Sequence, residues 1–213
     1  MCFSFRCFVC LYCTIYTVIF FFVAFTTVLW IVISPSSVKF HITDATLTEF
    51  NITNNDTLYY NFKVNVTARN PNDNIIVYYR QITAIAWYKD NDFGYVSLTP
   101  FDQGHKNTTF LGPIVFKGNR TIKLGHQQID EYFEETRLGI YNDLAVDFDV
   151  HIKAKFGRFK SGRFNPPMVQ CRRLRVPLVS ASNSTRSLSS FSFSERRCSS
   201  GSFFTDRNVN AGP

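Results

Sequence analysis

Histidine is scarce in this sequence: His41, His105, His126 and His151 are the four in 213 residues, and they lie far apart. No pair has the His-Glu-x-x-His spacing that puts two zinc ligands on one helix face. There is no Gly-x-Ser-x-Gly nucleophile elbow and no glycine-rich loop able to cradle a phosphate. Asp147 and Asp149 share one face of a strand with Lys153 and Lys155, a row that reads as cross-strand ion pairing. Glu134 and Glu135 are neighbours on a predicted helix and do not face one another. The residues therefore point away from an enzyme, and no cofactor, metal or small-molecule substrate is expected.

Charge is missing over one long stretch. Residues 7–33, "CFVCLYCTIYTVIFFFVAFTTVLWIVI", contain no charged side chain. As a helix this run extends about 40 Å, against a hydrocarbon layer of about 30 Å. A cleaved signal peptide has a shorter apolar region and small residues at its cleavage site, and no Ala-x-Ala pattern follows here. The segment reads as a retained signal-anchor. Arg6 before it leans toward a cytosolic N-terminus. Six Asn-x-Ser/Thr sequons, at Asn51, Asn55, Asn65, Asn107, Asn119 and Asn183, all follow the span. Glycan acceptors have a use only on the secretory side, which places the C-terminal part outside the cytosol.

The cysteines divide in the same way. Cys2, Cys7, Cys10 and Cys13 cluster at the cytosolic end of the span, while Cys171 and Cys198 lie beyond it. A lipid-facing helix end lacks the polar cage that a metal needs. The first four are read either as S-acylation sites or as small apolar residues. The outer two are expected to form a disulfide in an oxidising compartment, closing a loop worth about 3–4 kcal/mol in the loop-entropy account.

After a break at Pro35 the hydrophobic period falls to two. Strands are predicted over 38–50, 58–70, 75–88 (one long or two short), 95–98, 109–118 (interrupted at Pro113), 144–156 and 168–178, with a last one within 188–198. "NPNDN" (70–74) and "KDNDFG" (89–94) read as turns. The segment 126–138 is the one convincing helix after the span, with Ile129, Tyr132, Phe133 and Thr136 as its apolar stripe. The expected fold is an all-β antiparallel sandwich. The chain divides into a short cytosolic N-terminus (1–6), a transmembrane helix (7–33), an extracytosolic sandwich (34–198) and a disordered tail (199–213). Residues 151–213 hold 12 Lys/Arg and 2 Asp/Glu. In a nuclear protein that would suggest nucleic acid; outside a membrane the acidic partners are lipid headgroups or anionic wall polymers.

Several motifs stand in a fixed order after the span: "FHI" (40–42), "ARNPN" (68–72), "YY" (78–79), "PFDQGHKNTT" (100–109) and "CRRLRVPL" (171–178). Over residues 5–198 the chain resembles the plant harpin-induced-like (NHL) family, related to the non-race-specific disease resistance proteins and carrying a late embryogenesis abundant group 2 domain. The motif residues are Asn70, Pro71, Asn72, Gln103, Gly104, His105, Lys106 and Asn107. The resemblance implies a fibronectin-III/immunoglobulin-like sandwich held at the plasma membrane or plasmodesmata. It implies roles in defence, the hypersensitive response and abiotic stress, with a protein partner or an anionic wall polymer. It implies no catalytic residue and no nucleic acid. The segment before the span is shorter than in many relatives. "CRR" and "CSS" stand where the family usually has "CD", and no Arg-Gly-Asp-like tripeptide occurs. The run 100–110 is expected to be a surface connection, turning at Gly104, with His105 and Lys106 exposed and a glycan on Asn107.

Overall fold

The computed structural model describes residues 3–33, 35–53, 55–179 and 193–207. They fall into two units, Met1–Pro35 and Ser36–Pro213. The first is one helix, α1 (Phe3–Ile33), which begins four residues before the expected span and takes in Arg6. Its uncharged stretch Phe8–Val28 has 21 residues, about 30 Å of helix, the thickness of a hydrocarbon core. Phe20, Phe21, Phe22 and Phe25 are all more than half exposed. The hydroxyls of Thr14, Thr17, Thr26 and Thr27 donate to carbonyl oxygens three or four residues back, at 2.8–3.0 Å. That arrangement suits polar groups in an apolar solvent.

Among the described residues the second unit is a sandwich of two antiparallel sheets with one short helix. In the first sheet β1 (Lys39–Ile52) pairs with β2 (Thr57–Arg69), whose other edge takes β6 (Thr108–Phe110) and β7 (Ile114–Thr121). In the second, β3 (Ile75–Tyr88) and β8 (Ile140–Phe156) pair along their length, from Ile75↔Phe156 to Tyr88↔Leu144. Their flanks carry β4 (Asn91–Leu98), β5 (Phe101–Gln103), β9 (Phe159–Lys160) and β10 (Val169–Pro177). The two-residue β11 (Arg196–Arg197) closes the outer edge of β1.

Alternation decides which side chains meet between the sheets, because successive strand residues point to opposite faces. β2 buries Leu58, Tyr60, Phe62, Val64, Val66 and Ala68 without a break. β1 does not alternate evenly. It buries Phe40 and Ile42, then Ala45 and Leu47, then Phe50, because register shifts at Ile42/Asp44 and Leu47/Glu49 each insert a residue. Strict alternation would have sent Asp44 inward, and the bulge keeps it at the surface. In β3 a shift between Tyr79 and Gln81 passes the inward role from Tyr79 to Ile82, so the 75–88 segment is one strand bent once.

One expected turn and one expected strand come out differently. The turn read over 89–94 contracts to Lys89 and Asp90, both at positive φ (45° and 65°), and β4 starts at Asn91. The 109–118 strand is split into β6 and β7 around a cis Gly112–Pro113 bond. Helix α2 (His126–Leu138) has the expected bounds. The Gln128 side chain accepts from the Gly125 N–H at 3.0 Å at its start, and Gly139 ends it at φ 68°, the left-handed value that glycine adopts without strain. The expected stripe is rotated: Tyr132 and Glu135 are buried, and Phe133 is 63% exposed. Glu135 goes inward because the Tyr88 hydroxyl (2.7 Å) and the Asn142 N–H (3.0 Å) both donate to it.

The sandwich does not stop at Cys198. The expectation of a disordered tail from 199 is corrected over the described residues 199–207. Ser199 exchanges backbone hydrogen bonds with Gln170, Ser37 Oγ donates to the Gly201 carbonyl, and Ser200 Oγ to that of Val38. Phe203 is 1% exposed and packs against the rings of Phe40, Tyr79 and Phe204. A serine-rich stretch with one well-placed phenylalanine is thus enough to cap a sheet end. The expected strand within 188–198 is represented by β11 alone, the remainder up to 192 lying outside the described residues. Because truncating a buried phenylalanine costs about 3–5 kcal/mol, Phe203→Ala is expected to lower the denaturant midpoint of the sandwich strongly, whereas Phe159→Ala, at an 81% exposed position, leaves it nearly unchanged. Equal midpoints for the two variants would show that Phe203 is not part of the core.

Candidate functional site

The motif residues at 70–72 and 103–107 come together at one end of the sandwich, where the chain arrives at Ser36. Asn70 is fully buried. Its Nδ2 donates to the carbonyls of Ile75 (2.7 Å) and Gly104 (2.9 Å), and its Oδ1 accepts from the N–H and the Nδ2 of Asn72 (3.1 and 2.9 Å). Asn72 then grips Ser36 reciprocally: Ser36 N–H donates to Asn72 Oδ1 and Asn72 Nδ2 donates to the Ser36 carbonyl, both at 2.8 Å. Backbone bonds from Asn70 N–H to the Asn107 carbonyl and from Lys106 N–H to the Asn72 carbonyl close the ring.

Gln103 corrects the expectation of a surface connection. It is fully buried, not part of an exposed turn. Its Nε2 donates to the Ala68 carbonyl at 2.7 Å, with longer bonds to the Asn107 carbonyl and Thr109 Oγ1, and its Oε1 accepts from the Tyr79 hydroxyl at 3.3 Å. Ala68 belongs to one sheet and β5 to the other, so this amide ties the layers together. The rest of the run is at the surface: Gly104 is half-buried, and His105, Lys106 and Asn107 are exposed. Lys106 pairs with Asp73 at 2.7 Å, with both side chains largely in solvent; a pair of that kind contributes little. The motif is chiefly a structural clamp. No signal in the sequence distinguished buried Gln103 from a turn residue, because an amide goes inside only when several carbonyls converge on it.

The other expected site residues are dispersed. Asn51, Asn55, Asn107 and Asn119 are exposed. Asn65 is half-buried, donating to Asp44 at 3.4 Å, and its side-chain oxygen would lie 3.1 Å from a Cβ at Gly112. Asn183 lies outside the described residues, as does Cys2. Cys171 and Cys198 are bonded in the structure and both buried. Cys10 and Cys13 are free and exposed, three residues apart on one side of α1. Among the described residues no three His, Cys, Asp or Glu side chains are grouped to hold a metal ion.

Two polar clusters were not anticipated. Under α2, Tyr88 donates to Glu135, and buried Lys89 bonds Glu131, whose carboxyl is held below its ordinary range mainly by that bond. Burial together with Glu135 pushes the Tyr88 hydroxyl well up, and burial pushes Tyr141 up to about 12. On the outer face of β8, Asp147 is 1% exposed and pairs with Arg172 at 3.1 Å, while Asp149 pairs with Arg207 at 2.9 Å. The expected partners Lys153 and Lys155 are not used, since β10 and the tail bring arginines closer. A cavity of about 240 Å³ lies beside Trp87, Lys89 and Arg172. Its walls are polar and its lysine and first arginine are already paired, and nothing in it resembles an acid–base couple on a nucleophile.

Fold and clamp define the class: a two-sheet sandwich following a long apolar helix. The model of the family described as late embryogenesis abundant protein (LEA_2) matches residues 65–171, a span that contains the clamp. NDR1/HIN1-like protein 10 of Arabidopsis thaliana is 39% identical over 159 residues, 74% of this chain and 69% of that protein. NDR1/HIN1-like protein 3 of the same plant is 38% identical over 172 residues, 80% of this chain and 71% of that protein. The chain belongs to the NDR1/HIN1-like family and carries its LEA_2 domain.

Leaving buried carbonyls without a donor costs about 1–3 kcal/mol each. Gln103→Ala is accordingly expected to destabilise the sandwich by about 2–4 kcal/mol and His105→Ala by less than about 0.5 kcal/mol, compared by urea unfolding. Asp147 gives a prediction in pH. Burial raises its carboxyl, and Arg172 opposes the rise. A raised acid binds its proton more tightly in the folded state, so stability falls as pH climbs from the ordinary carboxylate value to the raised one. The stability of the parent relative to Asp147→Asn is expected to decline across that window, and a difference independent of pH would contradict the assignment.

Proposed function

We propose that this chain is a single-pass, N-glycosylated membrane protein of plant defence and stress responses, with the N-terminus in the cytosol and the sandwich outside. On this reading it acts by binding a partner, in the plasma membrane or at plasmodesmata, during the hypersensitive response. The observation that carries it is α1: 21 consecutive uncharged residues with large side chains exposed throughout, followed by sequons of which Asn51, Asn55, Asn107 and Asn119 are exposed. The relatives' shared name, NDR1/HIN1-like, supports the defence setting. Binding rather than catalysis fits a motif whose buried amides are spent on backbone carbonyls and on one another within the clamp. The partner is a protein or an anionic wall polymer. S-acylation of Cys10 and Cys13, with Cys2 and Cys7, would add a second membrane attachment.

The family description, late embryogenesis abundant, favours a second reading: protection of membranes during dehydration without a dedicated partner. Proximity labelling in stressed tissue separates the two, since a short reproducible set of neighbours supports recognition and a diffuse membrane background supports protection. For topology, the chain expressed in a plant host is expected to stay in the membrane fraction through alkaline extraction and to run faster on gels after glycosidase treatment. Mobility that glycosidase leaves unchanged would overturn the outside placement. Asn65→Gln is expected to change that mobility less than Asn119→Gln, because Asn65 is engaged with Asp44 while Asn119 is free at the surface.

A further inference from the structure

The hairpin at the end of β8 is built against the ordinary rules for a surface that meets only water. β8 ends at Phe156, Gly157 turns at φ 57°, and β9 returns so that Phe156 pairs with Phe159 and Lys155 with Lys160. Phe159 is 81% exposed. Lys155 and Lys160 stand directly opposite each other, a like-charge pair that weakens an antiparallel ladder. Arg158, Lys160 and Arg163 are exposed around them, and Lys153 is exposed two residues upstream on the same strand face. Among the described residues none of these five cations takes part in an ion pair. No acid occurs in sequence between Asp149 and Glu195. Of the nearby acids, Asp73 is taken by Lys106 and Asp149 by Arg207, and Asp206 is itself engaged. The cluster is an uncompensated positive patch around a bare aromatic tip.

Its place in the sandwich gives it an occupant. The Gly157 N–H donates to the Asn74 carbonyl at 3.0 Å, so the hairpin is fastened to the same turn whose Asn72 holds Ser36. Ser36 is the third residue after Ile33, the last residue of α1, and three residues of chain reach no more than about 10 Å. When α1 is embedded, the end of the sandwich that bears the hairpin is on a short leash to the bilayer surface. We propose that this hairpin docks on the lipid headgroups of the chain's own membrane. Phe159 enters the interfacial layer, while Arg158, Lys155, Lys160 and Arg163 take lipid phosphates. Guanidinium groups bond phosphate oxygens in pairs, aromatic rings favour the membrane–water boundary, and basic side chains act on an anionic surface within a Debye length. A hydrated polyanion would satisfy the cations but offers no apolar layer for Phe159. The proposal rests on the membrane-anchored reading above.

The test uses the full chain in phosphatidylcholine nanodiscs, with and without phosphatidylglycerol, and in detergent. Amide hydrogen exchange over residues 157–163 is expected to slow by about fivefold or more in the anionic discs relative to detergent. Phe159→Asp and the double variant Arg158→Glu/Lys160→Glu are expected to abolish that protection. Exchange in the paired β3–β8 core should stay the same, since all three substituted side chains are exposed. Equal exchange in all three media would overturn the proposal. So would protection by polygalacturonate in detergent with none in discs, which would assign the tip to a soluble polyanion. Failure of the anchored reading has a separate signature, release of the unsubstituted chain from membranes at alkaline pH.

Discussion

The buried amide clamp is the constraint on which the end of the sandwich that receives Ser36 depends. Asn70, Asn72 and Gln103 together hold Ser36, the β2–β3 turn and the loop that carries the chain from one sheet to the other. Buried amides are favourable only when every donor and acceptor is met, and here each asparagine and glutamine spends its side chain on backbone atoms of a different segment. The arrangement is therefore all-or-none in character. Losing one partner leaves several carbonyls exposed to an apolar interior at once.

Elsewhere the fold is governed by apolar burial between two sheets, and its irregularities have local causes. The two bulges in β1 keep Asp44 and Glu49 out of the interior while Ala45, Leu47 and Phe50 stay in it. The bend in β3 moves the inward register from Tyr79 to Ile82. The disulfide and Phe203 then do together what neither does alone. Cys171–Cys198 brings the second end of the chain back across a 27-residue separation, and the short stretch beyond it lays one aromatic ring over the open end of the core beside Phe40 and Tyr79.

Polar residues in this chain serve three distinct roles. Those of the clamp are structural, the sequon residues Asn51, Asn55, Asn107 and Asn119 face solvent, and the cations of the β8–β9 hairpin answer to nothing within the described residues. That division is in keeping with the binding role proposed above. Among the titratable groups that burial raises, Tyr79, Tyr88, Tyr141 and Asp147 are each bonded to fixed neighbours: Gln103, Glu135, Thr136 with the Phe50 carbonyl, and Arg172.

Residue order alone determined the apolar helix, the order of the long strands, the bounds of α2 and the pairing expected of the two outer cysteines, but neither β5 nor β9. The features so determined depend on local period and on counting: β2 follows a two-residue repeat throughout, and in β8 Leu144, Val146, Phe148, Val150, Ile152 and Ala154 do the same. Tertiary structure alone decided which polar residues went inside. Gln103 and Glu135 read as surface residues because nothing in a linear sequence marks a side chain on which distant carbonyls or hydroxyls will converge. Phe133 and Phe203 exchanged their expected places for the same reason. An aromatic ring is buried where a gap in the packing awaits it, and the position of that gap is set by strands far away along the chain.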